Sequence, residues 1–416
     1  MLKKVIILFL IVLNIFTLAC YADNIDLEIF PAEEIWEEVQ NVNQQLNTNP
    51  PKLNSRAAII FDRESKTVIY DKNINEKRAM ASTTKIMTAI ITLEQGNLDD
   101  VVEVSKKAAN IGGSRLGLST GDKIKLRDLL YGLLLRSGND AAIQIALHIG
   151  GSVEGFADLM NNKAKELGLE NTHFVTPHGL DDPNHYTTAY ELALLTDYAL
   201  DIEEFAKIVN TKQTTISINS NQMTITNTNE LLGNLEGVNG VKTGFTNNAG
   251  RCLVTSTTRN NWQIITIVLG ADTKKFRTKD SIELIEYNYK NFERINIKEK
   301  VEEEFAKWKE TNINSIEVEK GKKNDIKIDM DYQYDYELYP VNKSEINNIK
   351  IQIECEKLLE APIENDYQIG QIHVILSNKE IMNIPIITKE TIKKKGILDY
   401  VGEIMSNYTN IIVNRI

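Results

Sequence analysis

The sequence predicts an α+β fold, in which an antiparallel sheet flanked by helices is followed by a small all-β domain and an amphipathic helix. Strand-like segments at 57–61 and 67–70 and a hairpin at 252–269 indicate the sheet. Apolar residues recur at helical spacing through much of 82–210, so helices separate the first strand pair from the hairpin. After Asn296, short alternating segments separated by polar turns indicate the all-β domain.

The length, the charge and the first residues indicate an exported, multidomain protein. The 416 residues suffice for two or three domains, and the net charge of −11 argues against a nucleic-acid partner, which requires clustered cations. Lys3 and Lys4 precede an apolar run at 5–18 that is too short to span a bilayer, as in a signal peptide. We place the cleavage after Ala22, and lipoprotein processing at Cys20 is the alternative.

Changes of composition divide the chain into five segments. Residues 23–54 are acidic and rich in Asn and Gln, with one helical piece, and we interpret them as a spacer. The predicted segments are a signal peptide at 1–22, the polar spacer at 23–54, the larger α+β domain at 55–295, the all-β domain at 296–390 and an amphipathic helix at 391–416.

Ser82-Thr83-Thr84-Lys85 is the first of three short motifs that together describe a nucleophilic site. The apolar run that follows predicts a helix that ends at Gly96, so Ser82 lies at a helix start, where free N–H groups favour an oxyanion. Lys85 lies one turn further on the same face, and it can act as a base if burial or a nearby cation lowers its pKa. An N-cap serine followed by a solvated lysine is the alternative interpretation.

The other two motifs come later in the chain. Ser137-Gly138-Asn139 stands between two apolar helical stretches and predicts a corner between helices. Lys242-Thr243-Gly244 precedes the predicted hairpin, where a glycine would let a substrate backbone approach closely. Lys242 is also a candidate for the cation that lowers the pKa of Lys85.

The three motifs in this order resemble the penicillin-recognising serine acyl transferases, whose signature combines S-x-x-K with the other two motifs. More narrowly, the sequence resembles D-alanyl-D-alanine carboxypeptidases of the low-molecular-weight penicillin-binding proteins, through Gly112-Gly113-Ser114 and segments 177–181, 185–189 and 245–250. The resemblance runs from about Ser55 to the C-terminus. It implies the penicillin-binding/β-lactamase-like serine transpeptidase fold, with 55–295 as the catalytic domain.

The resemblance also implies an acyl-enzyme on Ser82, formed with peptidoglycan stem peptides ending in D-Ala-D-Ala or with β-lactams. Lys85 is expected to deprotonate Ser82, Ser137 to relay a proton to the departing D-alanine, and Asn139 to bind the acyl-side peptide. The remaining expected substrate-binding residues are Lys242 for positive potential, Thr243 and Thr246 for the terminal carboxylate, Gly244, and Phe245, whose N–H would complete the oxyanion hole with that of Ser82.

Two other functions remain open at this point. A class A β-lactamase has a glutamate in an E-x-x-L-N string, but the glutamates of segment 166–171 have a different spacing. A non-catalytic penicillin-binding sensor would not need Lys85 and Ser137 for turnover. The sequence does not separate a carboxypeptidase from an endopeptidase or transpeptidase. We expect no cofactor and no metal, because the five histidines show no ligand spacing, and we expect His178 and His185 at the surface.

The last residues predict a peripheral membrane anchor. From Lys393 to Ile416, apolar side chains recur on one helical face, which indicates a helix that lies in an interface without spanning it. Basic residues outnumber acidic ones from Lys389 onward, which favours an anionic lipid surface. We therefore expect the enzyme at the outer face of the cytoplasmic membrane, and a helix docked on the all-β domain is the alternative.

Overall fold

The computed structural model describes residues 31–45 and 49–413, which form two compact units that divide between Lys290 and Asn291. The predicted signal peptide at 1–22 lies outside the described residues. The first unit combines helices with antiparallel sheets, as the sequence predicts.

A five-stranded antiparallel sheet organises the first unit, in the order β2-β1-β9-β8-β7. Its strands are β1 (Ala57–Asp62), β2 (Val68–Lys72), β7 (Val238–Thr246), β8 (Gly250–Arg259) and β9 (Trp262–Ala271). The strand pair at the start of the unit thus joins the later hairpin, because β1 pairs with β9. Asn260 and Asn261 both have positive φ, which suits the tight turn between β8 and β9.

Helices and a small second sheet complete the first unit, with an apolar core of mostly aliphatic side chains. The second sheet contains β3 (Val101–Glu103), β4 (Lys123–Lys125), β5 (Gln213–Ile218) and β6 (Asn221–Thr226). The helices after the N-terminal segment are Lys85–Gln95, Lys106–Ala109, Leu126–Leu135, Asn139–Gly150, Val153–Glu166, Ala189–Asp201, Glu203–Val209 and Lys274–Asn291, and a 3-10 turn covers Ala81–Thr84.

The N-terminal segment contributes to the core of the first unit, in contrast to the interpretation of 23–54 as a spacer. A helix at Ala32–Gln45 buries Ile35 and Val42 against Leu231 and Ile282. The apolar residues of this helix are spaced by about two turns, so one of its faces packs although the segment is mostly polar.

The second unit is built mainly of strands around its own apolar core. Its four-stranded sheet has the order β12-β17-β16-β14, and the described residues of this unit also form two further strand pairs. The strands are β10 (Phe292–Asn296), β11 (Glu317–Glu319), β12 (Ile328–Met330), β13 (Leu338–Asn342), β14 (Ile349–Cys355), β15 (Leu358–Glu360), β16 (Gln368–Leu376) and β17 (Lys379–Thr388); 3-10 turns cover Ile313–Ser315 and Ile346–Asn348. A helix at Ile297–Asn312, which the sequence analysis missed, buries Ile297, Val301 and Phe305 in this core.

The last described element is a helix at Ile397–Val413. Ile397, Leu398, Ile404 and Met405 are each more than 60% exposed on it. Within 31–45 and 49–413, no helix is both long and apolar enough to cross a membrane.

Candidate active site

Ser82 lies in the 3-10 turn that leads directly into the helix Lys85–Gln95. The first N–H groups of such a turn have no partner within it, so the Ser82 N–H can face a developing oxyanion. β7 lies against this turn at Gly244, where an added Cβ would come within 3.1 Å of Ser82 N. Gly244 therefore admits the backbone of the Ser82 turn. The close approach of a substrate backbone that the sequence analysis expected at this glycine stays a prediction.

Lys85 is fully buried and makes three polar contacts. Its Nζ lies 2.8 Å from Ser82 Oγ, 2.8 Å from Asn139 Oδ1 and 2.9 Å from the carbonyl oxygen of His178. The Asn139 and His178 oxygens can only accept hydrogen bonds. A neutral amine has two N–H bonds, so donation to these two acceptors leaves its lone pair for the Ser82 hydroxyl proton.

Burial and charge both favour this neutral form of Lys85. Burial lowers its pKa well below the ordinary value, and the positive charge of Lys242 lowers it further. The pKa of Lys242 is itself lowered to about 7, first by burial and then by Arg277, which forms an ion pair with Glu230. Burial of Lys85 beside the charge of Lys242 thus produces the neutral base that the S-x-x-K motif requires.

The corner between helices Leu126–Leu135 and Asn139–Gly150 brings the second motif to Lys85. Ser137 is almost completely buried and has a φ of 59°, a backbone strain that often occurs at functional sites. Asn139 Nδ2 donates to the carbonyl oxygen of Gly112, so Oδ1 faces Lys85. The structure therefore uses one side of the Asn139 amide to hold the lysine. The second N–H on Nδ2 can still donate to an acyl-side carbonyl.

Asp140, which follows the second motif, holds the neighbouring loop in place. Its fully buried carboxylate accepts hydrogen bonds from the N–H groups of Leu116, Gly117, Leu118 and Ala141. The same loop accepts a hydrogen bond from the Asn139 backbone N–H through Ser114. The sequence analysis did not select Asp140, although it directly follows Asn139.

β7 contributes the third motif along the last strand of the sheet. Lys242 Nζ donates to the carbonyl oxygen of Thr243 at 3.0 Å. The Thr243 hydroxyl lies 2.9 Å from that of Thr228, which follows β6 and whose N–H donates to Leu135. Two hydroxyl groups therefore lie side by side where Thr243 was expected to bind a carboxylate.

Thr246 does not share this arrangement, and its hydroxyl contacts Asp181, whereas the sequence analysis expected it to bind the substrate carboxylate. Its side chain is buried, and the hydroxyl donates to Asp181 at 2.5 Å while it accepts a hydrogen bond from Ala249 N. The single hydroxyl proton of Thr246 is therefore committed to Asp181. Thr246 anchors the end of β7 to segment 177–185.

Segment 177–185 packs against the Ser82 turn. Its two histidines, His178 and His185, are buried, in contrast to the surface position that the sequence analysis expected. The N–H of Val175 donates to His185 Nδ1, so the proton of the neutral ring is on Nε2, which donates to Thr84 Oγ1. Thr84 in turn donates to the carbonyl oxygen of Ala81. Burial lowers the pKa of His185 to about 4 and that of His178 to about 3, so both rings are neutral supports at neutral pH.

Comparison with known proteins identifies the family. The model of the peptidase family described as D-alanyl-D-alanine carboxypeptidase matches residues 44–273, more than half of the chain. The chain belongs to this family. A second model, described as the C-terminal domain of penicillin-binding protein 5, matches residues 307–394.

Individual carboxypeptidases of the family are similar over most of the chain. The D-alanyl-D-alanine carboxypeptidase DacF of Bacillus subtilis is 30% identical over 361 residues, which cover 85% of this chain and 90% of DacF. The crystal structure of penicillin binding protein 5 from Haemophilus influenzae has a TM-score of 0.67 at 28% identity and covers 83% of this chain and 99% of that one. DacD from Francisella tularensis has a TM-score of 0.67 at 25% identity, with 84% and 96% covered. The protein is therefore a serine-type D-Ala-D-Ala carboxypeptidase that acts on peptidoglycan peptides.

Proposed function

We propose that Ser82 is the nucleophile that removes the terminal D-alanine from peptidoglycan stem peptides. Lys85, neutral in the resting site, accepts the Ser82 proton as Oγ attacks the carbonyl carbon of the scissile peptide bond. The N–H groups of Ser82 and Phe245 stabilise the oxyanion, and each such donor contributes about 3–4 kcal/mol in comparable sites. The contact between Lys85 Nζ and Ser82 Oγ at 2.8 Å carries this proposal.

The peptide bond then breaks, and Ser137 passes its hydroxyl proton to the departing amine of D-alanine while it takes up the proton that Lys85 received from Ser82. Two observations support this role. The backbone of Ser137 is strained, and Ser137 lies two residues before Asn139, which contacts Lys85. Water subsequently attacks the acyl-enzyme, which restores Ser82 and releases the shortened peptide. Lys242 supplies positive potential, the Thr243 hydroxyl binds the terminal carboxylate, and the paired hydroxyl of Thr228 orients that of Thr243.

Penicillins are expected to acylate the same serine, because a β-lactam presents a strained amide beside a carboxylate. We propose residues 55–295 as the domain that carries this chemistry and 296–390 as a domain that carries none.

Replacement of Ser82 tests the assignment directly. Ser82→Ala should abolish both D-alanine release from an N-acylated D-Ala-D-Ala peptide and covalent labelling by a fluorescent penicillin. Ser65→Ala is a matched control, because Ser65 lies in the turn between β1 and β2, and it should retain labelling. Normal labelling of the Ser82→Ala variant would place the nucleophile elsewhere.

We also propose that the helix Ile397–Val413 holds the enzyme on the outer face of the cytoplasmic membrane. Its exposed apolar residues support insertion into the interface, and five basic against three acidic residues from Lys389 onward favour anionic lipid. Deletion of residues 393–416 should move the signal-processed enzyme from the membrane to the soluble fraction, with peptide turnover intact. An unchanged membrane fraction would refute the anchor.

A further inference from the structure

The N-terminal helix Ala32–Gln45 lies almost wholly outside the part of the chain that the carboxypeptidase family model matches, which begins at residue 44. Ile35 is fully buried and Val42 is almost so. Both belong to an apolar cluster that is separate from the main core of the first unit. This chain therefore adds a packed helix to the catalytic domain that the family model describes.

The apolar cluster joins the N-terminal helix to segment 227–235, which lies between β6 and β7. Leu231, Leu232 and Leu235 of this segment belong to the cluster, and each is at most 5% exposed. Side chains of the helix shield these leucines from water, which is the main source of stability in such a contact. The helix thus stabilises one conformation of segment 227–235.

The same segment contacts elements that carry the second and third motifs. The Thr228 N–H donates to the carbonyl oxygen of Leu135, the last residue of the helix before the second motif. The Thr228 hydroxyl lies 2.9 Å from that of Thr243, and Asn229 Nδ2 donates to the carbonyl oxygen of Gly240 on β7 at 2.9 Å. These residues directly precede the leucines that the N-terminal helix covers.

An ion pair holds a second side of the N-terminal helix. Glu38 is only 7% exposed, and its carboxylate lies 3.2 Å from the Lys279 ammonium on the helix Lys274–Asn291. Arg277 of that later helix forms an ion pair with Glu230 of segment 227–235. The segment is therefore held by the N-terminal helix through apolar contacts and by the later helix through charge.

We infer that Ile35 and Val42 are positioning residues, which hold segment 227–235 so that the Thr228 hydroxyl orients that of Thr243 towards the terminal carboxylate of the substrate. This inference rests on the proposed function, in which the Thr243 hydroxyl binds that carboxylate. The nucleophile and its base lie outside the segment. A loosened segment should therefore weaken recognition of the carboxylate more than it slows acylation itself.

Two peptides test the inference on the full enzyme, one with a free terminal carboxylate and one with the same terminus amidated. The measured quantity is the ratio of kcat/KM for the free peptide to that for the amide. Ile35→Ala and Val42→Ala should each lower this ratio about fivefold, the effect of one lost hydrogen bond between uncharged groups. Ile35→Val keeps most of the apolar contact, and its ratio should stay close to that of the wild type.

Two control variants separate positioning from a general loss of stability. Trp36 lies on the same helix but is 64% exposed, so Trp36→Ala should leave the ratio unchanged. Met160→Ala removes a fully buried side chain from the main core of the first unit. It should lower the melting temperature without a change in the ratio, and thermal unfolding of every variant provides this comparison.

A double-mutant cycle tests whether the helix acts through Thr228. Thr228→Val should lower the ratio on its own, and Ile35→Ala should then have little further effect in that background. Fully additive effects of the two substitutions would overturn the inference. An unchanged ratio in both Ile35→Ala and Val42→Ala would overturn it as well, and so would an equal fall in Met160→Ala.

The outcomes also separate this inference from the proposed function. If Ile35→Ala and Val42→Ala leave the ratio unchanged while the wild type favours the free carboxylate, only the role of the helix is overturned. A wild type that does not favour the free carboxylate would instead overturn the proposed role of Thr243, and the role of the helix with it.

Discussion

Replacement of Asp140 by asparagine is the most informative perturbation of the scaffold around the site. Each carboxylate oxygen of Asp140 accepts two backbone N–H groups: Oδ1 those of Leu116 and Ala141, and Oδ2 those of Gly117 and Leu118, all at 2.8–3.0 Å. Asparagine keeps one oxygen and replaces the other with an NH2 group. Two N–H donors therefore lose their acceptor and face another donor.

The geometry sets the size of the effect. A buried donor without an acceptor costs about 1–3 kcal/mol, so two such donors cost about 2–6 kcal/mol. This is a large part of the 5–15 kcal/mol that is typical for a whole domain. The catalytic effect follows because the loop at 112–118 provides the acceptors for Asn139, which holds Lys85. A displacement of about 1 Å there should slow penicillin acylation about 100-fold.

Urea unfolding followed by the loss of penicillin labelling measures this stability, since labelling reports on the first unit. Asp128→Asn is the matched control, because Asp128 is only half-buried and accepts a single backbone N–H, from Ser217. It should cost at most about 1 kcal/mol. If Asp140→Asn is no more destabilising than Asp128→Asn, or if it acylates at the wild-type rate, the reasoning about the loop is wrong.

Three further predictions address the catalytic site and its supports. Lys85 must be neutral to accept a proton, and the charge of Lys242 lowers the pKa of Lys85. Lys242→Met should therefore move the acidic limb of the pH profile of acylation to higher pH. Stopped-flow acylation across pH measures this profile, and an unmoved limb would contradict the coupling. Thr243→Val should lower kcat/KM for peptides with a free terminal carboxylate far more than for their amides. Thr246→Val should instead lower the melting temperature without this selectivity. Equal behaviour of the two variants would refute the different roles of the two hydroxyl groups. Gly179→Ala should abolish penicillin labelling, because the new Cβ would lie 1.9 Å from the carbonyl oxygen of Ala81 in the Ser82 turn, and a normally labelled variant would show that the turn can move.

Local patterns predicted the elements that carry the motifs. The helix after Ser82, the corner at Ser137 and the hairpin after Lys242 each follow from apolar periodicity and turn residues over short windows. The helix Ile297–Asn312 was missed although Ile297, Val301 and Phe305 recur every four residues. Its charged residues concealed that pattern.

The supports of the site could not be predicted in the same way. The Thr246 hydroxyl bonds to Asp181, 65 residues away, and Thr84 bonds to His185, 101 residues away. Neither partner lies in a periodic segment, so only the fold brings each pair together. The same holds for the contact between Gly244 and the Ser82 turn.

The three contacts of Lys85 have a consequence for the cost of proton transfer. As an ammonium ion, Lys85 donates three hydrogen bonds, to Ser82, Asn139 and His178. As a neutral amine, it still donates to Asn139 and His178, and its lone pair accepts the proton of the Ser82 hydroxyl. Every polar group is satisfied in both states, and no heavy atom needs to move between them. The site therefore pays little reorganisation energy when the proton leaves Ser82 or returns to it, which is how a preorganised environment lowers a barrier.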